Sequence, residues 1–345
     1  MKTIGSLFAG IGGFDLGFER AGFKTSWAVE IDQKAQAVLR LRFPGAELHD
    51  DVTHVGAHNL GPVDVVTFGS PCQDLSVAGK RAGLAGERSG LFHESVRIIR
   101  ELRERYGKPD FAIWENVPGA FSSNGGRDFA VVVQEMVNLG ARDVAWRVLD
   151  SRFFGVAQRR RRVFLVADFG GERASEVLAQ SEGVRGHSPK GRKARQGVAQ
   201  VAGEGARSGR GYRMRAFGDY AEDDTASAMK QRDHKDATDL VAITMADVAG
   251  PLDASYHKGA GSRAGAEREF VATTQPAVVR RLTPVECCRL QGFPDDWNTE
   301  GIDKSGKRIA MADSSRYKQL GNAVTVNVAE WIARRVISCA DAPSC

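Results

Sequence analysis

Cys72 follows directly on Gly69-Ser70-Pro71, at the end of an apolar run over residues 63–68. The run reads as a buried strand, and a Gly-Ser-Pro turn brings the chain out at the carboxyl edge of a sheet, where open α/β proteins hold their ligands. A thiol at that edge is placed to attack an electrophile. An inert, packed cysteine is the commoner use of a free thiol, so the choice depends on what the rest of the chain sets beside it.

Residues 6–18 carry glycines at 10, 12 and 13 between a short apolar strand and an apparent helix. Glycines there let the backbone turn tightly and approach a ligand. Asp15, however, takes the place of the third glycine of the dinucleotide fingerprint, which argues against a pyrophosphate. Twenty residues beyond Gly10, Glu30 ends a second strand pattern over 25–29, the usual position of an acid that accepts hydrogen bonds from ribose hydroxyls. The combination fits an adenosine without phosphates. Glu115 stands in the same relation to a strand pattern at 110–114, and a carboxyl group facing a heterocyclic base can hold a ring nitrogen as charge develops on it.

These segments join others in a fixed order: Phe8-x-Gly10-x-Gly12-Gly13, Pro71-Cys72-Gln73, Glu115-Asn116-Val117, Gln158-Arg159-Arg160-Arg161-Arg162, a block over 281–294 that includes Thr283-Pro284 and Gly292-Phe293-Pro294, and Gln319-Leu320-Gly321-Asn322-Ala323-Val324. In order and spacing they resemble the bacterial and phage DNA cytosine methyltransferases that act at ring carbon 5. The resemblance covers residues 1–168 and about 280–335. It implies an α/β fold with a doubly wound, mainly parallel, Rossmann-like sheet of the class I methyltransferase type and a second, smaller DNA-recognition domain. It also implies S-adenosylmethionine as methyl donor, no metal, and double-stranded DNA as partner.

Carried over residue by residue, the resemblance makes Cys72 the nucleophile that adds to carbon 6 of a cytosine. Glu115 would contact ring nitrogen 3 and the exocyclic amine. Arg162, with Arg160 beside it, would hold the ring oxygen and support the thiolate. The implied cofactor set is the loop of Gly10, Gly12 and Gly13, Phe8 against the adenine or sulfonium, Glu30 at the ribose with Ile31 after it, Asp51 at the adenine amine, Pro71, and Asn322 at the methionine end. Three positions depart from the family pattern: Ser6 where an Asp is common, Ile31 where an aromatic often follows the ribose acid, and Ala157 where a proline usually precedes the Gln-x-Arg. None of them removes a reacting group.

The implied chemistry accounts for these residue types. Carbon 5 of cytosine attacks a methyl donor only weakly until a nucleophile adds at carbon 6, and a positive neighbour lowers a thiol pKa and enlarges its reactive fraction. The target base must leave the duplex stack, at a cost of roughly a few kcal/mol that protein contacts offset. Residues 77–91, with Gly79, Gly83, Gly86 and Gly90 among Lys80, Arg81 and Arg88, are read as a lid that closes on DNA during that step.

The elements that must position these groups follow from apolar periodicity. Strands are expected near 2–8, 25–29, 46–49, 63–68, 110–114, 143–149 and 163–167, and the clearest helices at 91–105 and 127–139. At 345 residues and 42% hydrophobic content, the chain can bury a full α/β core and carry a second unit. The expected division is a catalytic domain over 1–168 and 309–345, with a target-recognition domain over 169–308 that includes the 280–297 block. Cysteines at 72, 287, 288, 339 and 345 show no zinc spacing and are odd in number, so reduced thiols are expected. Cys287 and Cys288 are expected to pack in a helix that starts with a capping box from Thr283 to Glu286. No run is long and apolar enough to span a bilayer and no signal peptide is apparent. A cytoplasmic, monomeric protein of a bacterium or phage-infected host is therefore expected, and a companion restriction endonuclease is left open.

The middle unit is where DNA sequence would be read. Residues 185–215 hold nine Lys or Arg against the single acid Glu204, which suits phosphate contact or a solvated linker. The formal charge of +5 and pI near 9.0 agree with a polyanionic partner. Residues 224–235 and 247–258 share Asp, Ala, His and Lys at matching positions and are read as two copies of a recognition element. Two alternatives stand beside a DNA methyltransferase, an RNA (tRNA) cytosine-5 methyltransferase and a DNA-binding relative without catalysis. The length of the middle unit counts against the first, and the presence of Cys72, Glu115 and Arg162 against the second.

Overall fold

The computed structural model describes residues 1–70, 90–179, 208–216, 219–222, 239–244 and 277–341. Pro71, Cys72, most of the 77–91 stretch, the basic run up to residue 207 and both copies of the expected recognition element lie outside the described residues.

Seven strands form the main sheet: β1 (Thr3–Leu7), β2 (Lys24–Val29), β3 (Glu47–His49), β4 (Val65–Phe68), β5 (Phe111–Asn116), β6 (Asp143–Asp150) and β7 (Arg161–Asp168). Their order is β3-β2-β1-β4-β5-β7-β6, with parallel pairing from β3 through β5. The fold class expected from the sequence is thus observed, and so are all seven strand positions. One strand breaks the parallel pattern. β7 inserts between β5 and β6 and is antiparallel to both, because the chain turns back directly from β6 through a short 3-10 helix, Ser151–Phe153, with no crossover helix between them.

Alternating side chains fill two layers. Val65, Ile113 and Val166 face one core with Phe18, Val328 and Ile332, while Val66, Trp114 and Leu165 face another with Ile98, Phe129 and Met136. A sheet covered on both faces explains the near-continuous apolar strands β4 and β7. Of the helices α1 (Gly13–Arg20), α2 (Gln33–Arg42), α3 (Gly90–Tyr106), α4 (Arg127–Asn138), α5 (Ala174–Leu178), α6 (Pro284–Gln291), α7 (Asp313–Asn322) and α8 (Val326–Asp341), α1, α3, α4, α5 and α8 supply these layers, while α2, α6 and α7 build a third core.

The strand register sets the site. Leu7 pairs with both Val29 and Phe68, and Phe68 pairs with Trp114, so the last paired positions of four parallel strands form one row. The next residues along these strands, Phe8, Glu30, Gly69 and Glu115, therefore emerge side by side at the carboxyl edge.

A second, antiparallel sheet has the order β11-β10-β8-β9, built from β8 (Ser208–Ala216), β9 (Asp219–Glu222), β10 (Asp239–Thr244) and β11 (Ala277–Arg281). A short pair, β12 (Glu300–Ile302) with β13 (Arg308–Ala310), follows α6.

From residue 282 onward the 280–297 block packs with the main sheet's helices. Cys288, Leu290, Phe293 and Trp297 share a core with Ile11, Val38, Leu39 and Phe43. Trp297 Nε1 donates to the carbonyl of Ile11 at 2.8 Å, and Arg42 donates to the carbonyls of Trp297 and Asp296. Gly301 lies so close to Ala37 that a β-carbon would meet it at 2.7 Å. Residues 174–178 likewise belong to the main core. A sequence boundary drawn from composition misses this, since the apolar partners lie more than two hundred residues away. The capping box is present as expected: Thr283 Oγ1 accepts from Glu286 N at 3.3 Å, while Glu286 Oε2 accepts from Thr283 N at 2.6 Å. Cys287 and Cys288 are buried in the core. Among the described residues, no helix is long and apolar enough to cross a membrane.

A candidate active site at the carboxyl edge of the sheet

A cavity of about 350 Å³ opens where the four strand ends meet. Phe8, Gly10, Glu30 and Ile31 line one side, Glu115 and Arg162 the other, and Arg160, Gly321 and Asn322 complete the wall. Eight of the residues expected from the sequence are thus brought together.

The first side is built by the turn after β1. Phe8 has φ of 55° and Gly10 φ of 58°. A bulky residue rarely adopts that region, and such strain persists where the surroundings over-determine it. A β-carbon on Gly10 would meet nothing within 4 Å, so the backbone there is open to a ligand. Glu30 Oε2 accepts from Gly10 N at 2.7 Å and Oε1 accepts from Asp32 N at 2.8 Å. Burial pushes the Glu30 carboxyl up, partly opposed by these amides. Each oxygen retains a second lone pair for a hydroxyl donor. Ile31 is 72% exposed at the cavity rim, an apolar surface available for a flat ring.

Gly12 and Gly13 stand against packed side chains rather than in the cavity lining. A β-carbon on Gly12 would lie 2.3 Å from Phe43, and one on Gly13 would lie 2.8 Å from Val324. Neither lines the cavity. Gly12, with φ of 82°, is the N-cap of α1, and both glycines are required by helix packing. Asp51 also stands outside the cavity lining. Its Oδ1 accepts from Thr53 N and Thr53 Oγ1, each at 2.8 Å, and these bonds hold its carboxyl below the usual range. At the departure from the family pattern, Ser6 Oγ donates to Asp15 Oδ1 at 2.8 Å and shares a hydrogen bond with Thr67 Oγ1 at 2.9 Å. A carboxyl group thus reaches the β1 position from α1.

On the second side, Glu115 Oε1 lies 3.1 Å from Arg162 Nε, yet that oxygen is buried with no hydrogen-bond partner. The two observations agree if the guanidinium N–H is not aimed at the oxygen. Glu115 is then neutralised by charge while keeping its hydrogen-bonding capacity, which a buried oxygen seldom leaves unused. Arg162 Nη1 donates to the carbonyl of Arg161 at 2.8 Å. Ser70, the last described residue before Pro71 and Cys72, is pinned by β5: Trp114 Nε1 donates to its hydroxyl at 3.3 Å and Asn116 Nδ2 to its carbonyl at 3.5 Å. Ser70, two residues before Cys72 in sequence, is therefore held against the strand that carries Glu115.

Arg160 is buried, and its guanidinium donates to the carbonyls of Gly321 and Ala323. Gln291 Nε2 donates to the carbonyls of Leu320 and Ala323. The two clamp the turn that carries Asn322, whereas sequence reasoning set Arg160 beside Arg162 at the reacting groups. Sequence reasoning also missed Asp32 and Lys318 in the cavity wall, paired at 2.6 Å. Asp32 sits two residues past the ribose-type acid, but no local pattern connects it to a lysine 286 positions away.

The sequence profile of C-5 cytosine-specific DNA methylases matches residues 2–338. The chain is 31% identical to a protein of Escherichia phage P1 named as a DNA N-6-adenine-methyltransferase, over 97% of this chain and 61% of the phage protein. It therefore spans about three fifths of that relative's length. It is 30% identical to the Type II methyltransferase M2.BsuMI of Bacillus subtilis (strain 168), over 97% of this chain and 75% of that protein. Among solved structures, the Dnmt2 methyltransferase of S. pombe superposes with a TM-score of 0.65 at 17% identity, covering 99% of this chain and all of the other, a likeness of fold. With a family profile running nearly end to end, this chain belongs to the C-5 cytosine-specific DNA methylase family.

Proposed function

We propose that the protein transfers a methyl group from S-adenosylmethionine to carbon 5 of a cytosine flipped out of a specific duplex DNA sequence, the reaction of a DNA (cytosine-5-)-methyltransferase (EC 2.1.1.37). The observation that carries this reading is the cavity whose wall holds Glu30 and Gly10 together with Glu115 and Arg162, with Ser70, two residues before Cys72, also in its lining. The open Gly10 backbone and the free lone pairs of Glu30 fit an adenosyl group, with Phe8 and Ile31 as its apolar walls and Asn322 at the methionine end. When bound, S-adenosylmethionine supplies a methyl carbon made electrophilic by its sulfonium.

The chain's own groups do the rest. The Cys72 thiolate adds to carbon 6, and Glu115 holds nitrogen 3 and the exocyclic amine as negative charge develops on the ring. Arg162 keeps the Glu115 side electrically balanced and meets the ring oxygen. Carbon 5, now nucleophilic, takes the methyl carbon as its bond to the donor sulfur breaks, and the donor would leave as the thioether S-adenosylhomocysteine. Loss of the carbon 5 proton to a base then expels the Cys72 thiolate and restores the aromatic ring.

The second sheet, over 208–281, is assigned to target recognition, and residues 1–179 with 282–341 to catalysis. Double-stranded DNA is the partner and the protein acts as a monomer in the cytoplasm; a companion restriction endonuclease is left open.

The phage relative's name points to a second reading, transfer to an adenine amino group. An exocyclic amine needs no thiol, and a covalent adduct is absent from that route. Incubation with tritiated donor and either duplex DNA or tRNA, followed by base analysis, separates the readings. Label in 5-methylcytosine of duplex DNA, with covalent trapping on 5-fluorocytosine DNA, is expected; label in adenine, in tRNA alone or in neither would overturn the proposal.

A further inference from the structure

Among the described residues, two ion pairs have both partners in the cavity wall. Glu115 and Arg162 lie deep, with side chains 16% and 18% exposed. Asp32 and Lys318 lie at the mouth, 31% and 44% exposed. The deep pair is accounted for by the reaction; the outer pair is not.

Asp32 is held in place independently. Its Oδ1 caps α2 by accepting from Lys34 N at 2.9 Å and Ala35 N at 3.2 Å, which leaves Oδ2 for Lys318 Nζ at 2.6 Å. Asp32 N donates to Glu30 Oε1 at 2.8 Å, so the outer pair sits one hydrogen bond from the acid proposed to hold the ribose. Lys318 lies on α7, one turn before Asn322. A neighbouring cross-link of the same kind, Lys34 Nζ to Ser315 Oγ at 2.9 Å, joins the same two helices away from the cavity lining.

We propose that Asp32 and Lys318 form a strap across the nucleoside end of the cavity, which opens to admit the adenosyl cofactor and again to release its demethylated product. The proposal rests on the reading of this cavity as the S-adenosylmethionine site. A pair exposed to this degree shifts a rate by about 1.5- to 5-fold, weak enough to open in every turnover. Salt screens it, whereas the buried contacts below it are insulated.

The test is dissociation of S-adenosylhomocysteine from the full chain, followed by stopped-flow displacement at low and high salt. Asp32→Asn keeps the α2 cap, since Asn caps as well as Asp, and Lys318→Met keeps the side-chain length. Each is expected to speed dissociation by about 1.5- to 5-fold, and the double variant to be no faster than either single one. The wild-type rate should rise with salt while the variant rates stay flat. Lys34→Met, which removes only the neighbouring cross-link, should leave the rate unchanged. Single variants at the wild-type rate, additive effects in the double variant, or an equal acceleration by Lys34→Met would each overturn the strap. Failure of the wild-type chain to bind S-adenosylhomocysteine at all would instead overturn the cavity assignment, and the strap with it.

Discussion

Between about pH 4 and 7 the protein is expected to lose stability because the unfolded chain ionises at Asp15 while the fold keeps that carboxyl protonated, and the loss should disappear in Asp15→Asn. Asp15 is 0% exposed, and burial, opposed by the Ser6 hydrogen bond, pushes its pKa from 3.8 to about 7. Its Oδ2 has no hydrogen-bond partner. Because the folded pKa is the higher one, an unfolded chain releases this proton first. The group's contribution is complete below pH 3.8, declines as pH rises toward 7, and is constant above that. At 1.36 kcal/mol per pH unit, the interval from pH 5 to 7 corresponds to about 2.7 kcal/mol and the full shift to about 4 kcal/mol. The measurement is urea unfolding of both proteins at pH 5 and pH 8. An amide at Oδ2 adds a fixed offset, so the informative quantity is the change in the difference between the two proteins. The variant should gain about 2–3 kcal/mol on the wild type across this interval. Stability curves that run parallel would refute the assignment of a proton to this buried acid at neutral pH.

Other perturbations separate packing from chemistry. Gly13→Ala places a β-carbon 2.8 Å from Val324, so chemical denaturation should show a loss of about 1–3 kcal/mol, whereas Gly10→Ala should weaken cofactor binding in calorimetry more than it lowers Tm. Trp297→Phe removes the bond to the Ile11 carbonyl and should cost about 1–3 kcal/mol in the same unfolding experiment. Glu115→Gln keeps the shape but not the acid, and kcat for methyl transfer is expected to fall by about 10²–10⁴ with the cofactor Kd unchanged. Arg160→Met should raise the cofactor KM and lower Tm together, because it releases the turn at Gly321 and Ala323.

Much of the site was legible because its residues sit at strand ends. Glu30 and Glu115 each follow an apolar run, and parallel strands paired in register must deliver such residues to one edge. The capping box at Thr283 and Glu286 is equally local. Gly12 and Gly13 were not legible in this way, since a glycine that turns toward a ligand and one that admits a neighbouring helix look identical along the chain. The partner that decides between them, Phe43 or Val324, is fixed only by packing. The packing of residues 282–297 was hidden for the same reason. Composition marks where polar chain begins, but Trp297 finds its place through Ile11 and Phe43.

The sequence by itself determined the alternation of strands and helices, the placing of Glu30 and Glu115 at strand ends, and membership in a family of ordered motifs. These are local signals, carried by side-chain period and by residue type. Only the tertiary structure decided that β7 runs antiparallel between β5 and β6, that Arg160 grips the turn at 321–323, and that Asp32 meets Lys318. Each of these depends on which distant segments share a volume, and that is set by the packing of the whole core.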